Sequence, residues 1–183
     1  MKYTSEVFQR LSRGQFISSN SIDAETRAIF NDLEENRQDY EDYFGQIDFQ
    51  LSAGDGYFYF SRREAKVAVE NKLQSLFAWI DYLDFLKSFD TTFGAGTQFS
   101  LAQIEVRLAS DLELKEKLSR MFTDKPSNRD KLEALAAALT GMGFAELVNE
   151  QEGVYHVTSA FHYIEQIVLC IHIDEEVSHE IPE

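Results

Sequence analysis

The sequence predicts a mainly α protein with small β-hairpins, an α+β class, and three observations point there. Apolar residues recur at helical spacing along most of the 183-residue chain. Two short stretches break that rhythm with a turn glycine and a run of large side chains, "GYFYFS" at 56–61 and "GVYHVT" at 153–158. These stretches lie 97 residues apart at both their first and last residues, which suggests one unit used twice.

In chain order, residues 5–11 read as a short helix with Val7, Phe8 and Leu11 on one face and Gly14 ending it. "QFIS" is a short extended link, and "SSNSID" is rich in capping residues. Asp23 is the expected N-cap of a helix reaching about Phe44. Its apolar side is Ala28 or Ile29, Leu33, Tyr40, and Tyr43 or Phe44, opposite a wet side from Glu34 to Asp39. A strand with Ile47, Phe49 and Leu51 on one face follows, and Ala53-Gly54-Asp55-Gly56 turns it back. Tyr57-Phe58-Tyr59-Phe60 then places two rings on each face of the returning strand, because successive side chains alternate.

The longest helix spans 64–90 and carries two apolar stripes. Leu73, Leu76, Ile80 and Leu83 form one, and Trp79, Tyr82, Leu86 and Phe89 form the other. A helix apolar on two sides lies between two partners. One is its own domain, and the other is a second domain or a second copy of the chain; the latter predicts a homodimer.

"DTTFGAGTQFS", with Gly94 and Gly96, marks the boundary. Ser100 opens a helix with Leu101, Ile104 and Leu108 on one face. A second short helix uses Leu114, Leu118 and Met121 or Phe122, and Pro126 ends it. Ser127-Asn128 starts a helix to Gly141, "GFAELVNEQEGVYHVTSAF" is a second hairpin, and a last helix runs from Ser159 to about Ile173. The order helix, short strand, helix, helix, hairpin therefore occurs twice. That is the order of tandem winged-helix domains: residues 1–92 with a long exit helix, residues 97–173, and an acidic tail at 174–183 that frays. At the same offset of 97, Ile47 falls on Phe144, the first apolar residue of the second hairpin.

Composition narrows the function. Hydrophobics at 44% and aromatics at 13% fit a folded chain, and a net charge of −15 argues against polyanion binding over the whole surface. A single cysteine, Cys170, excludes an intramolecular disulfide and a thiolate metal cluster. No apolar run reaches membrane-spanning length, so a soluble, cytoplasmic protein is expected. Four histidines, His156, His162, His172 and His179, match no zinc spacing. "GAGTQF" lacks the Lys-Ser/Thr of a phosphate loop, and no catalytic, metal or cofactor-binding constellation emerges. A ligand-binding enzyme is the most distant reading, and no small-molecule substrate is expected.

Charge is unevenly spread. Residues 115–131 hold six bases against three acids, whereas ten acids and no Lys or Arg follow Lys131. In a DNA reader of this order, the helix before the hairpin presents bases or amides to the major groove. Beyond Lys131, "NRDKLEALAAALTGMG" offers Glu133, Ala134, Ala136, Ala137, Ala138 and Thr140 instead. That argues against a free-standing winged-helix transcription regulator, the alternative reading. It leaves phosphate contact from Lys125, Arg129 and Lys131, with DNA binding weak or indirect.

"YFGQIDFQLSAGDGYFYFSRRE" behind a long acidic helix, with "FQRLSRGQFIS" upstream and "GFAELVNEQEGVYHVTSAF" downstream, resembles the MukE/MksE-type KITE subunits of bacterial SMC complexes. The likeness spans nearly the whole chain, and "GYFYFS" before a long helix is its most specific piece. It implies a non-enzymatic, cytoplasmic and nucleoid-associated homodimer. Such a subunit binds a kleisin and, through it, an SMC ATPase, in chromosome condensation and segregation or in defence against foreign DNA. It also implies that one aromatic face of the first hairpin serves its own core and the other a dimer or kleisin surface. The candidate contacts are Tyr57, Phe58, Tyr59, Phe60, Trp79 and Tyr82. Where the resemblance would place several arginines on the helix before the second hairpin, only Arg129 and Lys131 match. The short C-terminal tail favours the MksE-like branch.

Overall fold

The computed structural model describes the backbone at residues 1–61 and 66–178, and side chains at 1–61 and 77–169. Among the described residues the fold is mixed α+β, with eight helices and two small antiparallel sheets of three strands each. The first half runs α1 (Thr4–Leu11), β1 (Ile17–Ser18), α2 (Ala24–Glu35), α3 (Arg37–Gly45), β2 (Gln50–Gly54) and β3 (Tyr57–Ser61). The second runs α4 (Lys66–Phe89), β4 (Gln98–Ser100), α5 (Leu101–Ser110), α6 (Leu112–Arg120), α7 (Asn128–Met142), β5 (Ala145–Asn149), β6 (Val154–Val157) and α8 (Phe161–Ser178).

Short polar side chains set the helix starts. Asp23 accepts from the Thr26 amide at 2.9 Å and from the Thr26 hydroxyl at 2.6 Å, and these bonds hold its carboxyl below the ordinary value. Ser100 and Gln103 form a reciprocal capping box at α5, and Ser127 caps α7. The helix expected from Asp23 to Phe44 is broken at Asn36. There the side-chain amide donates back to the Asp32 carbonyl and carboxylate, both at 3.0 Å, and the chain restarts as α3.

The first strand is also shorter than expected. Ile47 is exposed in a turn after α3, and Asp48 takes a left-handed φ of 62°, so pairing begins only at Gln50. At the other end α8 continues to Ser178, so residues 174–178 of the expected tail are helical. Residues 179–183, including His179, lie outside the described residues, and Leu73, Leu76, Cys170 and His172 lie outside the described side chains.

The two sheets have the same strand order, β1-β3-β2 and β4-β6-β5. Ile17 faces Phe58 and Ser18 faces Tyr57; Phe99 faces Tyr155 and Ser100 faces Val154. The offset of 97 therefore relates Tyr57 to Val154 and Phe58 to Tyr155 as equivalent positions. It fails on the outer strands. Leu51 faces Phe60 and Ala145 faces Val157, which makes Leu51 the counterpart of Ala145 and dissolves the pairing of Ile47 with Phe144. A longer second turn and an irregularity between Leu147 and Asn149 absorb the difference. Three helices stand between β4 and β5, against two between β1 and β2.

Two cores result. Val7, Leu11, Ile29, Leu33, Tyr40, Phe44 and Phe58 anchor the first. The second gathers Phe93, Phe99, Ile104, Leu118, Leu135, Leu139, Phe144 and Phe161, together with Leu83, Phe85 and Leu86 of α4. The C-terminal half of the long helix thus packs into the second core, which Tyr57 of the first half also joins. Lys117 fixes it to α6 through Asp84 at 2.9 Å and Ser88 at 2.6 Å, and Lys87 reaches Glu165 of α8 at 2.7 Å.

Candidate functional site

The aromatic strand β3 divides its rings between the two cores. Phe58 meets Phe30 at 5.3 Å, and Phe60 meets Phe44 at 4.9 Å and Phe49 at 5.0 Å, all in the first half. Tyr57 and Tyr59 turn the other way. They meet Phe16 at 5.7 and 5.6 Å, and Tyr59 meets Tyr163 of α8 at 5.0 Å. Phe16 continues the cluster to Phe144 at 5.2 Å and Tyr163 at 5.0 Å. Burial, with the neighbouring Tyr59, Tyr163 and Asp55 behind it, pushes the Tyr57 phenol up to about 12. Its ring lies over Gly54, where an added Cβ would stand 2.0 Å from a ring carbon.

A polar seam runs beside this cluster. Glu146 accepts from the Ser21 hydroxyl and the Ile22 amide, both at 2.6 Å. Asn20 donates to the Val157 carbonyl at 3.2 Å and accepts from the Ser159 amide at 2.6 Å, and its own carbonyl sits 2.9 Å from His156 Nε2. The Ser18 hydroxyl accepts from the Ala160 amide at 3.2 Å. Residues 18–22, legible only as caps, therefore join the halves through bonds that span well over a hundred residues. Gly56 has φ 76° and sits where a Cβ would meet Ser19 Oγ at 2.7 Å and Ser159 Oγ at 3.1 Å.

The candidate contact residues fall into distinct settings. Tyr57 is 2% exposed and Phe58 1%, so neither ring presents a surface; both are corrections to the expectation of an outward aromatic face. Trp79 packs edge-on against Phe144 at 5.1 Å, and Tyr82 stacks on Phe122 at 5.0 Å, so both rings of the second stripe of α4 are half-buried against the second half. Tyr59, Phe60 and Trp79 also line an apolar cleft of about 250 Å³ between the halves, with Phe16, Tyr163 and Ile167.

The basic segment is largely spent on itself. Arg129 pairs with Glu133 at 2.8 Å and Glu105 at 3.0 Å, which raises its affinity for its proton further. Lys125 pairs with Asp124 at 3.2 Å on the surface. Lys131 is 9% exposed and donates to the carbonyls of Leu118 at 3.2 Å and Ser119 at 2.8 Å, capping the end of α6. As a phosphate contact Lys131 is therefore corrected to a structural residue.

His156 is engaged in the seam, and His162 lies 3.1 Å from Glu165. Among the described residues no group of His, Cys, Asp and Glu is placed to hold a metal ion, and no helix is long and apolar enough to cross a membrane. Comparison with curated proteins gave no match. The family described as condensin complex protein MksE matches residues 2–168, covering both cores, both sheets and the seam. With nearly the whole fold inside that match, the chain belongs to the MksE family of condensin complex proteins.

Proposed function

We propose that the protein is a non-enzymatic accessory subunit of a bacterial condensin-like SMC complex that binds the kleisin and is linked through it to the SMC ATPase. Family membership is the observation that carries this reading. The two sheets of equal strand order and equivalent inner register support its architectural side, a pair of winged-helix units fused into one body by the seam. In this role the chain works by recognition, not chemistry, and acts in the cytoplasm at the nucleoid. It serves chromosome condensation and segregation or defence against foreign DNA.

Homodimerisation enters through the resemblance to MukE/MksE-type subunits, because Trp79 and Tyr82 of the second stripe are already packed within the chain. Of the candidate contacts, Tyr59, Phe60 and Trp79 are retained for a partner, since they border the apolar cleft. A kleisin bearing an affinity tag, co-expressed with this chain and the SMC ATPase, should retain the chain in stoichiometric amount through a physiological-salt wash. Loss of the chain from the kleisin at that step would reject the reading.

A further inference from the structure

The groove between α7 and the second hairpin is the least expected surface of the molecule. On the sheet, Leu147 and Tyr155 face each other across β5 and β6, and Tyr155 stacks on Phe99 at 5.4 Å. Leu147 is 42% exposed and Val148, at the strand irregularity, 43%. On the helix, Glu133, Ala136, Ala137 and Thr140 lie at the i, i+3, i+4, i+7 spacing of one face. Together with Ala145 and the Glu146 position they enclose about 480 Å³.

The charges of this groove decide its ligand. No basic residue lines it; of its two acids, Glu133 is paired with Arg129, and Glu146 accepts from Ser21 and Ile22. The nearest bases are committed, Arg129 to Glu105 and Glu133, and Lys131 to two backbone carbonyls. The hairpin turn adds Glu150 and Glu152, and no Lys or Arg follows Lys131 in the sequence. A phosphate backbone would meet the acidic hairpin turn here, and no Arg, Lys, Asn or Gln lines the groove to read a base edge. The matching groove of the first half is also partly apolar, with Phe49, Leu51, Ala53 and Tyr59, but it includes the base Arg37. A lining without any base is thus particular to the second half.

We propose that the α7–hairpin groove is a protein-docking site that takes an apolar-anchored segment flanked by Lys or Arg, and that it does not take DNA. The anchor lies against Leu147, Tyr155 and the methyl of the exposed Ala137, while the flanking cations face Glu150 and Glu152 of the acidic hairpin turn. Apolar anchors supply most of the affinity of such contacts, and charge steers the encounter. Because the partner is drawn from the same complex, the inference rests on the function proposed above.

The test is fluorescence anisotropy of the full chain with labelled, overlapping peptides that tile the kleisin subunit, beside capture of the intact kleisin. A peptide with Lys or Arg around an apolar anchor should bind. Ala137→Arg, at an exposed helix position, should weaken it about tenfold or more, the equivalent of roughly 1.4 kcal/mol. Leu147→Asp should do the same, and Ala137→Ser should leave binding in place; circular dichroism checks that each variant folds. If the intact kleisin is captured but no peptide responds to either groove variant, the groove proposal fails and the proposed function stands. If the kleisin is never captured, both fail. Duplex DNA binding at physiological salt that Ala137→Glu abolishes would make the groove a nucleic-acid site and overturn the proposal.

Discussion

Tyr57 and Phe58 are neighbours on β3, both are buried, and they are buried in different cores. The alternation of a strand sends Phe58 into the first half and Tyr57 into the second, so one short strand joins the two. Truncating either ring leaves a cavity as well as losing its transfer free energy. Phe58→Ala and Tyr57→Ala should each cost about 3–5 kcal/mol, read by urea denaturation. Hydrogen exchange should separate them, with loosening centred on α2 and α3 for Phe58→Ala and on β6 and α8 for Tyr57→Ala. The paired changes Tyr57/Tyr59→Ser and Phe58/Phe60→Ser should both unfold the chain, contrary to the expectation that one pair is surface.

Gly54 carries a related constraint. Gly54→Ala drives a methyl into the Tyr57 ring, which is held by Phe16 and Tyr59 and cannot swing into solvent. A loss of about 1–3 kcal/mol is expected in thermal or urea unfolding. In the Tyr57→Phe background the clash at the ring carbon persists, so the loss should persist too.

The seam gives a polar counterpart. Glu146→Ala removes the acceptor for both the Ser21 hydroxyl and the Ile22 amide. Charge-assisted bonds of this kind support a loss of about 1–3 kcal/mol by urea denaturation. Ser21→Ala should cost less, because the Ile22 amide keeps its partner.

Much of this architecture was legible in the sequence, and what was hidden has a physical cause. Caps at Asp23, Ser100 and Ser127 and the turn glycines are local signals that the chain obeys, and the 97-residue offset holds on the inner strands and fails on the outer ones. Alternation showed that β3 has two aromatic faces, but periodicity carries no information on what covers a face. The same limit applied to α4, whose second stripe left open a second domain or a second copy of the chain; Trp79 and Tyr82 meet Phe144 and Phe122 of the second half. Ser18 to Ser21 read as capping residues because Ser and Asn can satisfy themselves locally. Their bonds to residues 146–160 leave no sequence mark. Lys131 was misassigned because its charge was visible and its burial was not.

Lys131 supplies a further test. Lys131→Glu should destabilise the fold, by about 1–3 kcal/mol or more, because the Leu118 and Ser119 carbonyls lose their donor and an acid takes its place. Any DNA binding by the isolated protein should be weak, indifferent to sequence and removed by moderate salt. Lys125→Glu with Arg129→Glu should abolish that residue of binding in electrophoretic shifts without unfolding the chain.

Stability should fall at both pH extremes for assignable reasons. Burial, then the Asp32 carboxylate, pushes Tyr40 up to about 12, and burial does the same to Tyr57. Raised folded values mean the stabilisation is complete below the unfolded tyrosine value near 10 and is lost as pH climbs toward 12. Phenolate absorbance for these two rings should therefore rise together with unfolding. On the acid side Asp23 is lowered, first by the Thr26 hydroxyl, so its stabilisation is present above the unfolded value near 3.8 and lost as pH drops through the folded one. Asp23→Ala, costing about 1 kcal/mol at neutral pH, should lose much of that deficit in acid.

The proposed binding of a kleisin is tested most directly by isothermal titration of the purified chain with the purified kleisin. The account predicts saturable binding at a fixed stoichiometry, with an affinity of about micromolar or tighter at physiological salt. No heat of binding at tens of micromolar (~10⁻⁵ M), with co-injected samples eluting separately on size exclusion, would contradict it.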